Sequence, residues 1–135
     1  MNHNGSIVSA FSKKHLCIDS LTAECLAILD ACSIASFFLD WNILVESDCL
    51  EAVTFINGEA LNCSWQSSPV IEKIITFWKF KPKWRFRFIP RLANFAPHEL
   101  ACWAKACTFV GFIPLSKLPI SVFCDKGFPL VDNLC

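Results

Sequence analysis

Asn42-Ile-Leu-Val-Glu-Ser-Asp48 is an apolar run that ends on a carboxylate, and a helical pattern follows it at once. A short continuous apolar segment of this kind predicts a buried strand, and open α/β folds place their chemistry at the carboxyl ends of such strands. The stretch therefore predicts an α/β chain with Ile43 to Glu46 as a strand, Asp48 at its end, and a helix from Asp48 to about Asn57 closed by Gly58. Asp48 and Glu51 also have the spacing of a capping box, the ordinary structural use of an aspartate at a helix start.

Upstream, Leu21, Cys25, Ile28, Leu29, Cys32 and Ala35 recur at helical spacing and predict a helix from Leu21 to about Ser36. Glu24 lies at the margin of that apolar stripe, and Asp30 points away from it. Asn4-Gly5 is a two-residue hairpin signal, with Ser6 to Lys13 as the returning strand. With so few residues before the turn, the outgoing strand is expected to be nearly absent, as if the chain started in the middle of a sheet.

Downstream, Asn62 to Ser67 reads as loop, and Ser68-Pro69 opens a helix to about Trp78. From Lys79 the period changes to two: Lys79, Lys81, Lys83, Arg85 and Arg87 alternate with Phe80, Trp84, Phe86 and Phe88 around Pro82. This predicts a strand with one cationic and one aromatic face. Asn94 caps a last helix to about Cys107. The expected organisation is one domain over 1–107 and an irregular apolar tail over 108–135.

At 135 residues, 54% hydrophobic and 18% charged, the chain has the length and composition of one folded domain and is too apolar for a disordered linker. Its formal net charge is zero, so affinity for phosphate must come from local clustering. Half of its twelve Lys and Arg residues are Lys79, Lys81, Lys83, Arg85, Arg87 and Arg91. Such a cluster can track a nucleic-acid backbone, or it can be simply the solvated face of an amphipathic strand. Nine cysteines with no secretory signal and no C-x-x-C pair read as reduced, buried small hydrophobes and not as a disulfide scaffold or a zinc site. No long apolar run is free of charge or proline, so no membrane span is expected, and the cytosol or nucleus is the expected location.

Glu24 from a helix and Asp48 from a strand end could converge on a hard cation such as Mg²⁺, and phosphodiester hydrolysis typically uses two such ions about 3.5–4 Å apart. Two carboxylates alone are a thin set of ligands for two ions. The sequence resembles the type 1 ribonuclease H-like domain of plants, related to the ribonuclease H portion of non-LTR retroelement reverse transcriptases. The residues that carry the resemblance are Asn4-Gly5-Ser6 with Ala10-Phe11-Ser12, Ala23-Glu24, Val45-Glu46-Ser47-Asp48, Pro90-Arg91 with Ala93-Asn94, and His98-Glu99-Leu100-Ala101.

The resemblance implies a ribonuclease H-like mixed sheet with flanking helices, and hydrolysis of the RNA strand of RNA:DNA hybrids by two Mg²⁺ ions. Glu24 and Asp48 match the family's metal-holding carboxylates. Its last carboxylate falls at His98, which could ligate a metal or shuttle a proton. The family's opening strand, which carries its first aspartate and lies between the hairpin and the strand of Val45, is missing here, so the sheet is expected to be split. Three readings follow: a hybrid ribonuclease, a non-catalytic nucleic-acid-binding module, or a non-functional retroelement fragment.

Overall fold

The computed structural model describes residues 7, 9–38, 40–59 and 65–118. In chain order these form β1 (Ala10–Ser12), α1 (Ser20–Ala35), β2 (Leu44–Ser47), α2 (Leu50–Ile56), α3 (Ser68–Phe80), β3 (Arg85–Phe88), α4 (Phe95–Cys107), β4 (Gly111–Ile113) and a 3₁₀ turn at Leu115–Lys117. The architecture is mixed α/β, with four α-helices and two small sheets, consistent with the ribonuclease H-like fold. No described helix is long and apolar enough to cross a membrane.

β2 and β3 run parallel in the register Leu44↔Arg85, Val45↔Phe86, Glu46↔Arg87 and Ser47↔Phe88. Backbone bonds from the Arg85 amide to the Ile43 carbonyl (2.9 Å) and from the Ile89 amide to the Ser47 carbonyl (3.0 Å) extend the pairing past both ends. Alternation then sorts the side chains: Val45 and Phe86 enter the core, while Glu46 and Arg87 meet on the other face. The core face packs on α1 and α3 through Cys25, Ile28, Cys32, Ile71, Ile74 and Trp84. Asn57, just past α2, donates its side-chain amide to the Phe86 carbonyl at 3.3 Å and so satisfies an acceptor on the outer edge of β3.

The other sheet joins β1 and β4 antiparallel, Ala10 opposite Ile113, over a smaller core with Ala96, Leu100 and Leu118. The described strands thus fall into two separate sheets, the division expected between the hairpin strand and the strand of Val45. Within the stretch read from sequence as an irregular tail, Gly111–Ile113 is strand. Three residues are too few to show a period. The Asn4-Gly5 turn lies outside the described residues, as does most of the tail.

Several boundaries moved for local reasons. Of the strand expected from Lys79, only Arg85–Phe88 is strand: Lys79 and Phe80 belong to α3, because no breaker precedes Pro82, whose ring excludes helical backbone at Lys81 (φ −132°, ψ 70°), and Lys81 to Trp84 form the turn between them. α1 begins a residue early because Asp19 caps it, accepting from the Thr22 amide at 2.7 Å and the Thr22 hydroxyl at 3.0 Å. The capping box at Asp48 does not form. Cys49 is the N-cap of α2, no side chain caps the helix, and Ser47 Oγ accepts from the Cys49 amide at 3.1 Å. No disulfide joins any two of the six described cysteines: Cys25 and Cys32 are buried in the core as expected, Cys49 is half-buried, and Cys17, Cys102 and Cys107 are exposed, contrary to the expectation of burial. Burial pushes the Cys32 thiol up to about 12, so it is inert packing.

α4 ends on Thr108 in the left-handed region (φ 53°), a conformation costly for a β-branched residue and natural for glycine. Thr108→Gly should stabilise the fold by about 0.5–1 kcal/mol, read as a higher thermal midpoint. An unchanged or lowered midpoint would show that this helix end is not formed as described.

Candidate acidic site and cationic strand

Glu24 projects from the first turns of α1 and Asp48 from the residue after β2, and the packing of α1 against β2 brings the two carboxylates into one electrostatic neighbourhood. Glu24 has its pKa raised from the ordinary 4.5, first by loss of solvent and then by the charge of Asp48, with the Arg91 guanidinium acting in the opposite sense. Arg91 Nε lies 3.9 Å from Asp48 Oδ2; the aspartate is mostly enclosed, whereas the arginine is 75% exposed. Cys49 beside them has its thiol raised by burial and further by Glu24, Glu51 and Asp48, while a hydrogen bond from the Ala52 backbone lowers it. The site is two repelling carboxylates relieved by one guanidinium from the turn after β3.

His98 does not join them in a ligand set. It stands exposed in the first turn of α4 with Nε2 3.8 Å from Cys102 Sγ. Among the described residues, no three His, Cys, Asp or Glu side chains gather closely enough to hold a metal ion. A two-ion magnesium centre needs several carboxylates around each pair of ions. Among the described residues Glu24 and Asp48, the latter already facing a guanidinium, do not by themselves make up that ligand set.

The six sequence-selected cations separate into three settings. Arg91 belongs to the acidic pair. Arg87 forms a cross-strand ion pair with Glu46, whose side chain is almost wholly buried, so Arg87 serves the fold. Lys79, Lys81, Lys83 and Arg85 cluster where α3 hands over to β3. There Lys83 Nζ donates to the Asp40 carbonyl at 3.3 Å, and Arg85 Nη1 donates to the Pro82 and Trp84 carbonyls at 2.8 and 2.7 Å. Lys79 and Arg85 are exposed, and neither Lys79 nor Lys81 has an ion-pair partner among the described residues.

Two features escaped the sequence reading. Glu46 was hidden inside an apolar run, although its place opposite Val45 in the alternation marks it as facing away from the core. Asp30, assigned to an outward face, accepts from His15 Nε2 at 2.6 Å and lies 3.6 Å from Lys13 Nζ, tying the segment after β1 to α1.

A sequence model of a family described as reverse transcriptase-like matches residues 1–104. No curated protein and no solved structure matches the chain.

The raised Glu24 pKa has a definite sign in stability. Between the ordinary value and the raised one the folded state holds more proton than the unfolded chain, so stability falls as pH rises through that window. Glu24→Gln should therefore gain stability over wild type at neutral pH and lose the advantage below about pH 4.5, measured by denaturant unfolding at a series of pH values. Carbon-detected titration adds a second readout: Asp48→Asn should bring the Glu24 carboxyl down toward 4.5, and Arg91→Gln should raise it further. A Glu24 titration indifferent to both substitutions would separate the two carboxylates.

Proposed function

The chain belongs to the reverse transcriptase-like family, a ribonuclease H-like group of retroelement origin, and from that premise we propose that it is a nucleic-acid-binding domain that holds the backbone of an RNA:DNA hybrid. The observation that carries this reading is the clustering of Lys79, Lys81, Lys83 and Arg85 at the α3 to β3 junction of a chain with no net charge. Each cation that neutralises a phosphate releases condensed counterions, so the affinity is entropic in origin, insensitive to base sequence and lost as salt rises. A finer placing with the type 1 domains of plants, acting in cytoplasm or nucleus, is part of the same proposal and rests on Ala23-Glu24 and Val45-Glu46-Ser47-Asp48.

Hydrolysis is the second reading, favoured by the convergence of Glu24 and Asp48. The resemblance assigns these residues, with His98, to a two-magnesium centre. Against it stands Arg91, which supplies beside Asp48 the positive charge that a metal ion would otherwise bring. Binding without turnover is the reading that agrees with both carboxylates and the arginine.

Hybrid binding measured over a range of salt should give a slope of log K against log salt of roughly −2.7 to −3.6, for three or four phosphates neutralised. The pair Lys81→Glu and Arg85→Glu should weaken binding and flatten that slope. In the same preparations, magnesium should produce no hybrid cleavage by wild type or by Asp48→Asn. Magnesium-dependent cleavage by wild type that Asp48→Asn abolishes would overturn the proposal in favour of the hydrolase, and a flat salt dependence would remove the binding claim.

A further inference from the structure

At the opposite end of β2 from Asp48, an open indole adjoins the cationic cluster. Asp40 takes the left-handed conformation (φ 62°), which aspartate tolerates, and the chain turns so that Trp41 packs on Phe38 with ring centroids 5.1 Å apart. Trp41 nevertheless remains 56% exposed, and the neighbouring Phe37 is 81% exposed. Lys83 reaches this turn: its ammonium donates to the Asp40 carbonyl, the peptide that leads into Trp41, at 3.3 Å. An ammonium has three protons to donate, so two remain for another acceptor.

An aromatic face beside anchored cations is the combination that binds single-stranded nucleic acid, where bases stack on the ring and cations hold the backbone. A second copy of this chain is a poor occupant. A twofold contact centred on Trp41 would set each Lys83 close to its own counterpart. The spacing also suits a strand that leaves a bound hybrid. Trp41 and Asp48 are seven positions apart along β2 and its flanks, which is at most about 23 Å of extended chain. That span corresponds to about seven base pairs at 3.4 Å each.

The geometry points to a stacking site at Trp41 for one unpaired base of the single strand that flanks the bound hybrid, with Lys83 holding the adjoining phosphate. This rests on the nucleic-acid-binding reading above and adds a preference for a junction over a blunt duplex. Lys81 and Arg85 continue the track toward the paired region. Trp41 then contributes discrimination, and the cations contribute most of the affinity.

The test compares a blunt RNA:DNA hybrid with the same hybrid carrying a short unpaired tail, by fluorescence anisotropy at fixed salt. For wild type the tail should tighten binding by roughly 5- to 100-fold, the range of one base stacked on an aromatic side chain. Trp41→Ala should remove that gain so that tailed and blunt hybrids bind alike, Trp41→Phe should keep most of it, and Lys83→Gln should reduce it. Equal wild-type affinity for the two hybrids, with salt-dependent binding intact, overturns the stacking site and leaves the binding function standing. No binding of either hybrid overturns both. If sedimentation shows wild type self-associating and Trp41→Ala monomeric, the indole is a contact between copies and the stacking site is wrong.

Discussion

The parallel pairing of β2 with β3 is the constraint from which the rest of the molecule follows. It puts Val45 and Phe86 on one side, where α1 and α3 close over them. It also puts Glu46 and Arg87 together on the other side, where the nearly buried carboxylate meets the guanidinium because the register sets the two residues opposite each other. A slip of one residue would reverse both faces, exposing the apolar pair and burying the charges, so the register is specified twice over. Asp48 emerges from the carboxyl end of β2 and Arg91 from the turn after β3. Their approach is therefore a consequence of the same pairing.

Charge is arranged along this strand pair with little waste. At the carboxyl end two acids meet one arginine, and the Glu24 pKa is raised by burial and by Asp48. In the middle, Arg87 is committed to Glu46. At the amino end, the hydrogen bonds of Lys83 and Arg85 among the described residues go to backbone carbonyls, and no described carboxylate pairs with either charge. A polyanion laid along β3 is therefore attracted at the amino end and meets mixed charge at the other. The binding proposed above draws on the amino end of this surface, and the carboxylates lie at the other end.

How much of this was legible in the sequence depended on the range of the interaction. β2 was legible because its apolar run has no helical period, and α1 because its stripe does. Lys79 and Phe80 misled because an alternating pair also continues a helix; only Pro82 decides, and it acts on the residue before it. β1 and β4 pair across about a hundred positions with three residues each, beyond any local pattern. The nearness of Glu24 to Asp48 was expected from the resemblance, since spacing alone gave one helix carboxylate and one possible cap. The failure of that cap is itself informative, because it leaves the Asp48 side chain to Arg91. Trp41 was invisible to periodicity, since its exposure arises from a left-handed turn at Asp40.

Amide hydrogen exchange and through-hydrogen-bond couplings measured by NMR test the β2 to β3 pairing most directly. Couplings should link the Arg85 amide to the Ile43 carbonyl and the Ile89 amide to the Ser47 carbonyl, with the Arg85 amide exchanging only on global unfolding. If Arg85 and Ile89 exchange as fast as exposed loop amides and show no such couplings, the two strands are not joined. The acidic pair, the Glu46 to Arg87 contact and the cationic end would then lose their common frame.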